Sequence, residues 1–145
     1  LNDHNVQQWI VTSSGRPSVQ ALLDHAKGVL PVFDGVVTSD DVTTGKPSPD
    51  GYRLALKRSG IAPSCGLAIE DSAVGLQAAT AAGLPCLLTP SPWDKDLVET
   101  SHLATAVLNH LGDHDKPSRL QHGPPCLDGM VTLNYMQSLL AHSLS

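Results

Sequence analysis

A chain of 145 residues with 41% hydrophobic content is long enough to bury a core of its own, and with 3% aromatic residues that core must be aliphatic. A formal net charge of -5 with no basic cluster argues against nucleic acid and against an anionic membrane surface as partners, so any anionic substrate has to be held by local groups. No apolar run approaches the roughly 18 residues that span a bilayer, and the opening LNDHNVQQ has neither a basic start nor an apolar signal core, which is the pattern of a cytoplasmic chain.

Trp9-Ile10-Val11 predicts a short buried strand running into a polar turn, TSSGR. Pro17 suits the first residue of a helix, Val19, Leu22, Leu23 and Ala26 follow at helical spacing, and Gly28 ends it. Gly35 to Ser39 predicts the second strand. The segment DVTTGKPSPD is a loop, followed by a helix over Pro49 to Ser59 with Ser48 as cap, Tyr52, Ala55 and Leu56 on one face, and Gly60 as stop. Gly66 to Ile69 predicts a third strand, Ser72 a cap for a helix over Ala73 to Ala82, and Pro85 to Leu88 a fourth strand. Beyond PSPWDKD come a weaker strand at Ala106 to Leu108, a Pro/Gly/His-rich loop from Gly112 to Gly129, and a terminal helix near Leu133 to Ser143. Strand and helix alternate, which predicts an α/β fold of the Rossmann-like kind: a parallel sheet with helices on both faces and right-handed crossovers.

Ligands in such sheets bind at the carboxyl ends of the strands, and three of those ends carry unusual residues. Thr12 and Ser13 occupy a turn whose N–H groups precede a helix and can cradle an anion, although Ser and Thr are also ordinary turn residues. Lys46 is immobilised by its neighbours: Pro47 biases it away from helical angles and a helix begins immediately afterwards. A cation fixed there can stabilise the charge of a transferring phosphoryl group, where an unconstrained one would be an exposed loop lysine. Glu70 and Asp71 are adjacent carboxylates at the end of a buried strand. Like charges so placed repel unless a cation or proton lies between them, and Mg²⁺ commonly takes one or two protein carboxylates with water and substrate phosphate completing its shell. The bland alternative has Glu70 facing solvent and Asp71 helping to cap the next helix.

Cys65, Cys86 and Cys126 are widely spaced with no CxxC, so they read as reduced thiols rather than a disulfide framework or zinc ribbon. His110 and His114 have the spacing of a helical metal pair, but Gly112-Asp113 between them breaks the helix that would align them.

Together these segments resemble the haloacid dehalogenase superfamily of phosphatases and phosphomutases: WIVTSSGR is similar to its second motif, TTGKPSPDGY to its third and AIEDSAVGLQAATAAGLP to its fourth, in order, over about residues 8 to 90. The stretches TPSPWDKD and AVLNHLGDHDKPS resemble more narrowly the CbbY-like, β-phosphoglucomutase-like branch, whose members dephosphorylate sugar phosphates. The resemblance implies that Thr12 hydrogen-bonds the transferring phosphoryl group with Ser13 assisting, that Lys46 bridges it to the nucleophile, that Asp71 binds Mg²⁺ with Glu70 as second ligand or support, and that Arg16 meets a distal phosphate of the substrate. It also implies a core in which residues 1–111 carry motifs two to four and residues 112–145 form a closing loop and helix of the same domain.

The family's first motif, DxDx(T/V) after an apolar strand, supplies the aspartate nucleophile, and two stretches here imitate it without a preceding strand. These are DKDLV, Asp94 to Val98, and DHDKP, Asp113 to Pro117. The expectation is therefore a C-terminal portion of a longer Mg²⁺-dependent phosphatase of small phosphorylated sugars, cytoplasmic or plastid-stromal, that cannot hydrolyse anything by itself. A phosphomutase of the same superfamily and a noncatalytic phosphate- or metal-binding remnant are the alternatives. Because the resemblance puts the first strand at the centre of the sheet, its absence predicts two half-sheets with open edges.

Overall fold

A computed structural model of the chain describes residues 1, 4–29 and 32–143; residues 2, 3, 30, 31, 144 and 145 lie outside the described residues. Among the described residues six short strands and five α-helices follow one another, mostly in alternation. Strand β1 (Trp9–Val11) pairs in parallel with β2 (Gly35–Val37), in the register Trp9 with Gly35 and Val11 with Val37. A second sheet is ordered β3 (Ala68–Glu70), β4 (Cys86–Leu88), β5 (Ala106–Leu108), β6 (Leu120–His122), parallel except for the last pair. The fold is mixed α/β, and the described strands form two sheets rather than one, with β1 and β3 each at a sheet edge.

Helix α1 (Arg16–His25) follows β1, α2 (Asp50–Ser59) follows β2, and α3 (Ala73–Ala81) connects β3 to β4. Helix α2 packs on both strands of the first sheet and on α3, so it bridges the two sheets. Its end is set by Gly60, whose φ of 72° lies in the left-handed region that side chains avoid.

Strand β4 is buried throughout and separates two apolar clusters. Cys86 and Leu88 face Leu76, Ala78 and Ala79 of α3, with Tyr52 of α2 in the same cluster. Leu87, on the opposite face, packs with Ala106, Leu108 and, from the C-terminal helix, Tyr135 and Leu139. That alternation is the period of two expected of a strand covered on both sides. The small residues Ala78 and Ala79, both fully buried, let α3 lie close to the sheet. Helix α5 (Leu133–His142) is capped by Thr132, whose hydroxyl accepts from Tyr135 N at 3.2 Å.

Several boundaries differ from those expected. The third strand is Ala68–Glu70 rather than Gly66 to Ile69, because Pro63–Cys65 forms a 3₁₀ turn that Gly66 closes. The fourth starts at Cys86 rather than Pro85, whose carbonyl accepts from Ala68 N. The first helix starts at Arg16 and ends at His25, three residues before Gly28. Within the expected loop 112–129 lies β6, whose residues are all exposed and so lack the apolar pattern that marks a strand. The four-residue α4 (Leu97–Thr100) was likewise not expected. Among the described residues no helix is long and apolar enough to cross a membrane.

Candidate active site

The carboxyl ends of β1 and β2 open into a cavity of about 130 Å³ whose wall includes Thr12, Ser13, Thr38, Lys46, Ser48 and Tyr52. The β1–α1 turn is fixed to the segment after β2 by a ladder of hydrogen bonds: Thr12 N donates to Val37 O at 3.0 Å, Ser39 N to Ser14 O at 3.1 Å, and Arg16 N to Asp40 Oδ2 at 2.8 Å. Thr12 Oγ1 accepts from Ser14 N at 3.1 Å, which orients the hydroxyl within the turn. Thr12 and Ser13, adjacent in sequence, thus share one wall with the distant Lys46.

Lys46 precedes a cis peptide to Pro47 and donates from Nζ to Glu70 Oε1. Its side chain is 13% exposed and that of Glu70 7%, so the ion pair is largely withdrawn from water. The same Oε1 accepts a second hydrogen bond from the Tyr52 hydroxyl, and Lys46 Nζ lies 5.2 Å from the centroid of the Tyr52 ring. A buried charge is tolerated when it is paired and hydrogen-bonded, and Glu70 has both kinds of partner. Burial and the adjoining Glu70 charge push the Tyr52 hydroxyl well above its ordinary value, so it stays a neutral donor. They also push the Cys86 thiol up to about 12, which leaves that cysteine an inert core residue.

Glu70 therefore does not face solvent. Its Oε2 sits against the first turn of α3, where a Cβ added to Gly75 would lie 2.0 Å away. Asp71, the next residue, is exposed, and its carbonyl accepts from Ser91 N at 2.9 Å. Among the described residues no group of three or more His, Cys, Asp or Glu gathers as a metal cage. With Glu70 Oε1 engaged by Lys46 and Tyr52, the exposed carboxylate of Asp71 is the hard oxygen donor here that fits Mg²⁺, which takes as few as one carboxylate from a protein.

Arg16 is placed away from the cavity wall. Its Nη2 lies 2.7 and 2.6 Å from the two carboxylate oxygens of Asp41, which also accepts from Thr38 N and Thr38 Oγ1, each at 2.8 Å, and from Arg58 Nη2 at 3.3 Å. Thr38's amide and hydroxyl, with the Arg58 and Arg16 guanidinium groups, hold the Asp41 carboxyl well below the usual carboxylate range. This cluster ties α1, the 3₁₀ turn Ser39–Asp41 and α2 together, and sequence spacing gave no sign of it.

The two imitations of a nucleophile motif have structural employment. Asp94 Oδ2 accepts from Ala73 N at 2.8 Å and so caps α3 beside Ser72, while Asp113 Oδ1 accepts from Asp115 N and Lys116 N and closes a turn. No aspartate is among the twelve residues that line the cavity. His110 Nδ1 accepts from Gly112 N, a contact within its own loop.

The family model described as haloacid dehalogenase-like hydrolase matches residues 1–83, more than half of the chain. The chain belongs to the haloacid dehalogenase-like hydrolase family. Among curated proteins it is 41% identical over 83 residues to Protein CbbY of Cereibacter sphaeroides, covering 56% of this chain and 36% of that protein. It is 36% identical over 121 residues to the validoxylamine A 7'-phosphate phosphatase of Streptomyces hygroscopicus subsp. limoneus, covering 79% and 56% of the two chains. Of solved structures, a CbbY variant from Rhodobacter sphaeroides in complex with xylulose-(1,5)bisphosphate superposes with a TM-score of 0.68 at 32% identity, over 79% of this chain and 52% of that one. The chain thus spans only 36% and 56% of the lengths of these two curated relatives.

Proposed function

We propose that this chain carries the phosphate-binding half of a Mg²⁺-dependent phosphatase of small phosphorylated sugars. The observation that carries the reading is the convergence of Thr12, Ser13 and Lys46 on one cavity, with Lys46 anchored to the carboxylate that precedes Asp71. Support for a phosphorylated sugar comes from the CbbY relatives, one of which is solved with a sugar bisphosphate.

In this reading Lys46 neutralises phosphoryl oxygens. Because Thr12 Oγ1 accepts from Ser14 N, its own O–H remains to be donated to the same group, and Ser13 assists through its backbone or hydroxyl. Asp71 would hold Mg²⁺, which supplies further charge neutralisation at the phosphate. Glu70, with Oε1 committed to Lys46 and Tyr52, acts as support for Asp71 and anchor for Lys46. Arg16 braces the turn through Asp41. Hydrolysis by way of an aspartyl phosphate needs a carboxylate nucleophile brought to this cavity by a residue other than the twelve that line it. The test is release of phosphate from sugar phosphates by the product of the complete reading frame, wild type against Asp71→Asn. The substitution abolishes turnover; turnover that survives it refutes the assignment.

A second reading, a noncatalytic phosphate-binding unit, is favoured by one observation: Asp94 and Asp113 are both engaged in holding local structure. It predicts orthophosphate binding with no hydrolysis in any form of the protein.

A further inference from the structure

By helical spacing Tyr52 is an apolar-face residue of α2, and its ring does join the core, 8% exposed. Its hydroxyl has another role. A buried tyrosine that serves packing alone can satisfy its O–H on a backbone carbonyl, as Tyr135 does on Pro124 O at 3.0 Å. Tyr52 instead donates to Glu70 Oε1, the oxygen that also receives Lys46 Nζ, and presents its ring to that ammonium at 5.2 Å. The geometry points to Tyr52 as a positioning residue that sets, through Glu70, where the Lys46 ammonium stands on the cavity wall.

A lysine is a point charge on a flexible four-carbon stem, so one carboxylate contact fixes its distance but not its direction. A second donor on the same oxygen restricts the side from which Lys46 can approach and withdraws part of the electron density that would otherwise draw the ammonium inward. The ring face adds an attraction from another direction without using a particular N–H. One of the three ammonium donors is committed to Glu70, and the others remain for an anion in the cavity that Lys46 and Tyr52 both line. The inference rests on the reading of Lys46 as the anion-binding cation.

The test follows inorganic orthophosphate binding by calorimetry together with the Lys46 ε-methylene resonances by NMR, in wild type and Tyr52→Phe. In wild type the ring current moves those protons upfield, and this can be read without any variant; Lys46 resonances at exposed-lysine positions overturn the proposal. Loss of the hydroxyl is expected to shift the ε-methylene resonances and weaken orthophosphate binding about 5-fold, the scale of one modest hydrogen bond. Unchanged resonances and affinity in Tyr52→Phe, whatever its melting temperature, overturn the positioning role. If wild type binds no orthophosphate, the anion-site reading fails, and the Lys46 resonances alone then decide whether Tyr52 positions the side chain.

Discussion

Replacing Gly75 by Ala tests the packing beneath the candidate site, because the ordinary expectation has the opposite sign. In an open helix the change stabilises by about 1 kcal/mol, since glycine loses more backbone freedom on folding. Here the new Cβ would stand 2.0 Å from Glu70 Oε2 and 2.3 Å from its Cδ. The carboxylate cannot simply swing aside, because its side chain is 7% exposed and Oε1 holds both Lys46 and Tyr52. Hydrogen bonds to a charged group contribute about 1.5–3 kcal/mol each, so distorting two of them outweighs the gain in helix propensity and leaves a net loss of roughly 2 kcal/mol. For a chain of this size that loss lowers the melting temperature by about 4–8 °C. Thermal unfolding followed by circular dichroism measures it. In a Glu70→Ala background the clash is gone, and the same Gly75→Ala change becomes neutral or stabilising, which a double-mutant cycle reads directly. A melting temperature that rises in the single variant would refute the reasoning.

Other consequences follow from named contacts. The Asp41 carboxyl is held below its ordinary value of 3.8, so its contribution to stability is complete above that value and is lost as pH falls below it; Asp41→Asn should flatten the acid limb of a stability-against-pH curve below about pH 4, and an unchanged acid limb would count against the cluster. Removing the second cap of α3 by Asp94→Ala should cost about 0.5–2 kcal/mol in denaturant titrations, with no loss beyond the error if the Ala73 contact is idle. Strands β1 and β3 each pair on one side among the described strands, so sedimentation velocity should show association that grows with concentration; a monomer at every concentration with a cooperative melt would contradict that expectation.

Much of the fold was legible because its elements are punctuated by residues with one local meaning. Trp9–Val11 and Ala106–Leu108 occupy the expected strands, and Gly60 and Ser72 mark helix ends by conformation and by capping. The family resemblance drew Thr12, Ser13 and Lys46 into one site, and the structure sets all three on one cavity. The role of Tyr52 was hidden because its spacing already had a sufficient explanation in the core, and its hydroxyl partner lies 18 residues away. The Arg16–Asp41 pair was hidden for a similar reason: Asp41 follows 25 residues later, and nothing in the intervening sequence pairs them. Strand β6 escaped notice because an exposed antiparallel edge strand needs no apolar pattern to pair.

The measurement that bears most directly on the phosphate-binding reading is calorimetric titration of inorganic orthophosphate into the wild-type chain and into Lys46→Ala. The account predicts saturable binding to wild type that weakens at least about 10-fold when the buried ammonium is removed, the scale of a charge-assisted hydrogen bond. Equal affinity in the two proteins, or no binding to either, would contradict it.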